Sequence, residues 1–334
     1  RDEGPRDKKI SEKNTIQKKK GVLSSLQTKL SSLKTKSSLL SDTVFNVFEN
    51  KIASSSDSDK IKASASDTSI AGNHSLSVTR LATAHTIVSN QYTASSTSIS
   101  SSISTDQTFS LSVAHPTNDD SDNRVNVDVT VSASSFNNTT NESVLTSIAN
   151  AINSAMSTAF SNDTIDSDEK VIASVVSEEN GKARLLLKSS QTGYTYRQSY
   201  TDTSGLLSAV GLSTASQSSG TNGGYITSES NLNSTFTMDG LSFSRDSNQV
   251  NDILTGVTIN LLQTFSTSET ITIDKDLEGV KSKVKDFISK YNDAINFLNT
   301  NAKLDPETKA RGVLANDSLY SGLISRIKDI TTNS

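Results

Sequence analysis

The residue types that could perform chemistry are few in this chain, and they fall in no catalytic spacing. The three histidines are His74, His85 and His115, which lie in or near strand-like segments without an acidic neighbour in sequence. A zinc site of the HExxH type needs two histidines one helical turn apart with a glutamate between them, and the chain has no such spacing. The sequence therefore favours three structural histidines over a metal site.

Two acidic segments, NDDSDN at 118–123 and DTIDSDE at 163–169, offer oxygen ligands. Neither has the glycine at position six or the closing glutamate of an EF-hand, so solvated turns are favoured over calcium sites. No GxSxG elbow frames a serine nucleophile, and the GTNGG segment lacks the lysine and following helix of a phosphate loop. We therefore expect no catalytic residue, no cofactor and no metal, and the chain is not predicted to be an enzyme.

Composition indicates small cores beneath an extensive polar surface. Only 33% of the 334 residues are apolar, and a single core stops growing near about 250 residues, so two or three domains are expected. A net charge of -4 gives no general attraction to nucleic acid, and the basic run at 8–20 is interpreted as a solvated helix face. The chain has no cysteine for disulfides and no run of about 20 apolar residues for membrane insertion.

The elements that organise the chain are predicted first near its two ends. Apolar residues recur every three or four positions in an early segment, where Ser37 replaces one of them, and again after Asp276. This spacing is typical of helices that pair along a coiled-coil seam, and an antiparallel pair satisfies both stripes most simply. The residues expected to pack in this leg are Leu26, Leu30, Leu33, Leu40, Val284, Phe287, Tyr291 and Leu298.

Within that leg, the stripe of Leu26, Leu30 and Leu33 is predicted to face Val284, Phe287 and Tyr291, and Val44 and Val47 continue the first stripe. A third helix is predicted to place Leu319, Leu323, Ile327 and Ile330 on one face, with Asn316 or Asp317 as its N-cap. The stripes could be buried within an intrachain bundle or could form an assembly surface. The intrachain bundle is favoured, although an elongated leg leaves other faces free.

Between the helices the sequence predicts β-rich domains. Polar and apolar residues alternate at 75–82, 109–113 and 125–131, and the acidic turn at 118–123 joins the last two as a hairpin. A helix at 142–156 follows, and then VIASVV and GKARLLLKSS form a second hairpin. The Ser/Gly-rich segment at 213–230 has no core-forming content and is interpreted as a linker.

The stretch FTMDGLSFSRDSNQVNDILTGVTINLL at 236–262 is predicted to bring the chain back to the leg. Asp239 and Gly240 indicate a turn, and strands at 241–243 and 257–261 are expected to pair with the strand at 75–82. The predicted fold is an elongated, multidomain α+β chain. Its leg comprises 1–60 and 276–334, its inner β-rich domain 61–105 and 231–275, and its outer α+β head 106–230, which ends in the linker.

In their order and content, several blocks resemble the flagellar filament cap proteins, the flagellar hook-associated protein 2 family. The most specific pair is RDSNQVNDILTGVTINL with ISKYNDAINFL. The first twenty residues and the 213–230 segment carry no such signal. The other blocks are SLSVTRLATAHTIVS, SIANAINSA, VIASVVSEENGKARLLLKSSQTG, TITIDKDLEGVKSKVKDFISKYNDAINFLN and RGVLANDSLYSGLISRI.

The resemblance implies a ring-like homo-oligomer at the distal end of the bacterial flagellum, where it promotes folding and insertion of exported flagellin. It also implies an extracellular protein needed for motility, exported by the flagellar type III route with an export chaperone and without a cleaved signal peptide. Two alternatives remain open. One is a hook-filament junction protein, and the other is a surface adhesin that acts in cell adhesion through its Ser/Thr-rich head.

Overall fold

A computed structural model describes residues 4–43, 46–302, 304, 311–315 and 318–332. Val44, Asn316 and Asp317 lie outside these described residues, as do the side chains of Leu319 and Ile330. The chain divides into two compact units, one of Arg1–Ile52 with Asp274–Ser334 and the other of Ala53–Ile273. The first unit is helical and the second is mostly β, which confirms the predicted α+β class.

The helices are α1 (Gly4–Ser41), α2 (Asn141–Ser161), α3 (Leu206–Ala209), α4 (Leu277–Ala302) and α5 (Ser318–Thr332), with 3₁₀ turns at Ser100–Ser102, Ala133–Phe136 and Glu229–Asn231. The strands are β1 (Lys51–Ser55), β2 (Ile61–Ala65), β3 (Gly72–Arg80), β4 (Ala84–Val88), β5 (Tyr92–Thr93), β6 (Gln107–Ala114), β7 (Arg124–Val131), β8 (Val171–Val176), β9 (Lys182–Thr192), β10 (Ser199–Thr201), β11 (Gly224–Tyr225), β12 (Ser234–Met238), β13 (Leu241–Arg245), β14 (Gln249–Val250), β15 (Val257–Leu261) and β16 (Phe265–Lys275).

Two sheets enclose one inner core in the second unit. The first has the strand order β1-β16-β3-β12-β13 and the second β14-β15-β2. Alternation with period two sends one face of each strand inward, so Leu76, Phe236 and Ile271 of the first sheet meet Ile61 and Ile259 of the second. Two segments far apart in sequence therefore build a single core.

A second, larger core belongs to the outer domain. Its sheets have the orders β10-β6-β7 and β11-β4-β9-β5, with β8 also paired to β9. Helix α2 closes this core, because Val144, Ile148, Ile152 and Met156 recur every fourth residue and are almost fully buried. The side chain of Thr140 caps the helix by accepting a hydrogen bond from the backbone N–H of Ser143.

The division into three domains stays a proposal, but the structure corrects some of its bounds. The helical unit ends at Ile52, not at 60, because β1 alternates as a strand and sends Ala53 into the inner core. Residues 84–105, assigned to the inner domain, contribute Ile87 and Ile99 to the outer core instead. β4 pairs with β9, which fixes its place in the outer sheet.

The segment at 213–230 is not a linker without core contacts. Tyr225 is buried in the outer core, and β11 pairs with β4. Gly223 permits this close packing, since a Cβ at this position would lie 1.8 Å from the carbonyl oxygen of Gly211. Tyr225 and Gly223 therefore dock a segment whose composition suggested a flexible chain.

The strands of the 236–262 stretch also pair differently from the prediction. The strand at 75–82 does pair with the 236–262 stretch, but its partner there is β12, with β16 on its other side. The predicted strand at 257–261, β15, pairs with β2 and β14 instead. The turn at Asp239 and Gly240 joins β12 to β13, and both residues have positive φ.

Substitution of Ile259 by alanine tests the two-segment core. The side chain is 1% exposed, so we expect its truncation to lower the free energy of opening by roughly 2–5 kcal/mol. Native-state hydrogen exchange should show that amides of 61–65 and 257–261 lose protection together. Thr258→Ala, on the opposite face of the same strand, is the control and should change little. Loss of protection in β15 while β2 keeps its own would contradict one shared core.

Candidate functional site: the helical seam

Two of the three histidines bind a carboxylate that the sequence did not place beside them. Nδ1 of His74 lies 2.7 Å from Oδ2 of Asp239, and Nδ1 of His115 lies 2.8 Å from Oε2 of Glu169. These partners are 165 and 54 positions away, so sequence neighbours could not reveal them. The hydrogen bond from His74 lowers the pKa of Asp239. Both pairs tie together segments that are distant in sequence.

The carboxylates of the acidic segments likewise bind groups of the same fold, some nearby and some distant in sequence. Asp122 accepts hydrogen bonds from Arg197 at 2.6 Å and from Arg124 at 3.1 Å, and these bonds lower the pKa of its carboxyl. Glu169 is buried. Its carboxylate contacts His115 and also accepts a hydrogen bond from the backbone N–H of Asp166. Among the described residues, no cluster of three or more His, Asp or Glu side chains is arranged to hold a metal ion.

The arrangement that remains as a candidate site is the helical seam of the first unit. Leu26 of α1, Ile295 and Leu298 of α4 and Ile324 of α5 form its buried centre. Half-buried side chains surround this centre: Leu30, Tyr291, Phe297, Tyr320, Leu323 and Ile327. Three helices are needed because each presents only a narrow apolar stripe.

Polar contacts set the direction of α1 against α4. Nζ of Lys36 lies 2.7 Å from Oδ2 of Asp286, and this hydrogen bond lowers the pKa of Asp286. Lys29, two turns earlier on α1, lies over the ring of Phe297 at 5.6 Å from its centroid. Since earlier positions on α1 meet later positions on α4, the two helices run antiparallel, as the repeated spacing suggested.

Of the residues expected to pack in the leg, the structure brings Leu26, Leu30, Tyr291 and Leu298 into one cluster. The other four, Leu33, Leu40, Val284 and Phe287, are half-buried and lie outside that cluster. Phe287 contacts Tyr291 instead, with ring centroids 6.4 Å apart. The detailed facing of the two stripes stays a prediction.

Two members of the buried centre, Ile295 and Ile324, were not singled out from the sequence. Ile324 directly follows Leu323 of the third predicted stripe, and Ile295 lies between Tyr291 and Leu298, four positions after the first and three before the second. A stripe around a third helix is wider than a two-helix seam, so it recruits the adjacent position as well. The predicted third helix is the sequence signal for both residues, because packing against two partners requires a wider apolar stripe.

The described part of α1 also carries exposed apolar side chains on its outer side. Ile16 is 66% exposed and Ile10 47% exposed, and Leu23 lies at the edge of an open groove with Leu26, Leu30 and Tyr320. No helix in the described part of the chain is long and apolar enough to cross a membrane. The helical unit therefore has an inner seam and an open, partly apolar outer face.

Leu298 and Ile288 provide a matched pair on α4 for testing the seam. Leu298 is fully buried, so Leu298→Ala should lower the stability of the helical unit by roughly 2–5 kcal/mol. Ile288 is 49% exposed, and Ile288→Ala should change it by no more than about 0.5 kcal/mol. Hydrogen exchange of α4 amides measures both. A double-mutant cycle of Leu26→Ala with Leu298→Ala should give a coupling of roughly 0.5–3 kcal/mol, and additive effects would argue against direct packing.

Comparison with known proteins adds to this geometry. The family model for the flagellar hook-associated protein 2 N-terminus matches residues 2–85, and the model for its C-terminus matches residues 232–334. Together the two models match more than half of the chain. The first matched segment contains α1, β2 and β3, and the second contains β12, β15, β16 and α4.

Two relatives show the extent of the likeness. The B-type flagellar hook-associated protein 2 of Pseudomonas aeruginosa is 28% identical over 304 residues, which cover 84% of this chain and 56% of the relative. The flagellar hook-associated protein 2 of Helicobacter pylori is 34% identical over 82 residues, 24% of this chain and 12% of that protein. The matched residues therefore span about half of the length of the Pseudomonas protein and 12% of the Helicobacter protein.

The fold has a counterpart among solved structures. The D1-D2-D3 domains of the flagellar cap protein FliD from Escherichia coli align with a TM-score of 0.65 and 23% identity, covering 94% of this chain and 77% of that one. Identity this low supports the shared fold alone. The two family models, whose matched segments together build the inner core, show that the chain belongs to the flagellar hook-associated protein 2 family.

Proposed function

We propose that this chain is a structural part of a cap that oligomerises at the distal end of the bacterial flagellar filament and promotes folding and insertion of exported flagellin. The observation that carries the proposal is the interlocking of the two family segments. β3 of the first pairs with β12 and β16 of the second, and β2 pairs with β15. The family likeness therefore rests on one continuous core.

A second copy of this chain is the first proposed partner. A cap must bind its neighbours and the filament through surfaces left free by its own folding, and the exposed isoleucines of α1 belong to such a surface. A ring would repeat one heterologous contact around an axis. Flagellin and a type III export chaperone are proposed as further partners, with an extracellular location at the filament tip and export without a cleaved signal peptide.

The proposed role is structural, with no enzymatic activity. His74, His115, Asp122 and Glu169, the polar groups most able to do chemistry, are each bound to another part of the same fold. Their contacts hold strands and turns together. This use of polar side chains supports a protein that acts through its shape and its surfaces.

Genetic complementation tests the proposal. A flagellated strain that lacks its own cap gene should release flagellin into the medium as unpolymerised protein. The complete gene containing this chain should restore filaments and motility and lower free flagellin several-fold, as quantified by immunoblot and electron microscopy. Failure to restore filaments despite export of the protein would count against a cap.

Matched variants connect this result to the helical seam. Leu298→Asp places a charge in the buried centre and should abolish restoration, because an unpaired buried carboxylate opens the helical unit. Ile288→Asp lies on the exposed side of the same helix and should leave the helical unit folded.

If filaments form normally with the head deleted or altered while attachment to mucin is lost, the adhesin interpretation replaces the cap.

A further inference from the structure

One short segment of the outer domain, residues 192–198, is hydrogen-bonded to the inner domain. We call it the connecting segment. Thr195 donates its hydroxyl to Oδ2 of Asp246 at 2.6 Å, and Thr192 donates its hydroxyl to the carbonyl of Asp246, also at 2.6 Å. The backbone N–H of Tyr194 donates to Oδ1 of Asn233 at 2.6 Å. The segment thus hydrogen-bonds to residues next to β12 and β13 of the inner domain.

Gly193 shows how closely the two domains approach at this point. Its φ is +95°, and a Cβ there would lie 2.3 Å from Cβ of Asp246. Its backbone N–H also donates to the carbonyl of Thr83, which precedes β4. The connecting segment therefore fits against Asp246 without space for any side chain at Gly193.

The other end of the connecting segment is held by His85 in the outer domain. The backbone N–H of Gln198 donates to Nδ1 of His85 at 2.9 Å, and the side-chain amide of Gln198 donates to the carbonyls of His85 and Leu187. His85 is fully buried at a point where the pairing of β4 with β9 shifts register. The imidazole thus accepts a backbone N–H of the connecting segment beside an irregular part of the β4–β9 ladder.

The tautomer of this imidazole follows from its partner. A backbone N–H can only donate, so Nδ1 must be the unprotonated acceptor and Nε2 must carry the ring hydrogen. Nε2 has no hydrogen-bond partner in the described structure. A second proton can therefore be added only at Nδ1, and it would oppose the Gln198 N–H with another donor.

The charged surroundings also disfavour a second proton. The Arg197 and Arg124 guanidiniums are the charged groups that act on His85, and both are positive. The ring of Tyr225 contacts the imidazole edge-on, with centroids 4.5 Å apart, and Glu229 and Tyr200 act electrostatically on that tyrosine. Burial and Glu229 raise the pKa of Tyr225 to about 12, so its hydroxyl stays neutral.

We propose that protonation of His85 releases the connecting segment and loosens the hold of the inner domain on the outer domain. The N–H of Gln198 would lose its acceptor, and the imidazolium would remain buried beside two arginines unless the segment moved. Release at Gln198 also frees Thr192, Tyr194 and Thr195, the residues of the segment that bind Asp246 and Asn233. The connection between the domains is thereby acid-sensitive, and this inference does not depend on the proposed cap function.

The pH window follows from the two states. In the closed state, burial and then the two arginines lower the pKa of His85 to about 4, against an ordinary value of 6.5 once the segment opens. Because the open state binds the proton more readily, the closed state is fully favoured above about pH 6.5 and is weakened as the pH falls toward 4. The opening constant should rise up to about tenfold per pH unit, and roughly 300-fold across the window.

Hydrogen exchange between about pH 4.5 and 7.5, corrected for the intrinsic exchange rate, measures this opening constant at the amides of Tyr194, Thr195 and Gln198. We expect their opening to increase as the pH falls, while amides of the β6–β7 hairpin, such as Val127, change little. His85→Asn is the matched variant, since its side-chain oxygen can accept the Gln198 N–H but cannot be protonated. The variant should keep the connecting segment closed and remove its pH dependence.

Three results would overturn the proposal: a pH-independent opening in the unsubstituted protein, an equal pH dependence in His85→Asn, or titration of the His85 imidazole near pH 6.5 in the closed protein. NMR of the imidazole in the unsubstituted protein supplies the last measurement and does not require the variant. If His85→Asn does not fold, the imidazole titration and the exchange of the unsubstituted protein decide the question alone.

Discussion

The central position of β3 is the constraint on which the rest of the second unit depends. This strand pairs with β12 on one side and β16 on the other, and both partners lie far later in the chain. Leu76 and Val78 are buried only because those partners close around them. Everything between β3 and β12 must therefore leave the inner sheet and return to it, which places the outer domain inside the inner one in sequence.

Because the cores are small, polar side chains satisfy backbone groups at the edges of the sheets. Asn153 of α2 accepts the backbone N–H of Ala173 and donates to its carbonyl, so it satisfies the open side of β8 in place of another strand. Asn141, which is fully buried, likewise accepts the N–H of Ile99 and donates to the carbonyl of Thr93. A chain with few apolar residues can close a core in this way, because paired polar groups are not costly to bury.

Periodicity revealed the elements better than it revealed their partners. The stripe of α2, the hairpins β6–β7 and β8–β9, and the antiparallel leg all follow from spacing that the sequence displays directly. The pairing of β15 with β2 does not, since any inward-facing strand could accept Val257 and Ile259. The burial of Tyr225 and of His85 was not predicted for a related reason: a single buried residue has no period, and its burial depends on glycines and partners elsewhere.

The two cores differ in when the growing or emerging chain can complete them. The buried residues of the outer core run from Ile87 to Tyr225 without interruption by the inner core, so that part contains all of its own partners. The inner core needs both Ala53 and Ile273. β3 is synthesised or exported long before β12 and β16, the strands with which it pairs. Until those strands follow, β3 is an unpaired, aggregation-prone strand. The polar serines and threonines on its solvent-facing side, Ser75, Ser77 and Thr79, help to keep such a waiting strand in solution.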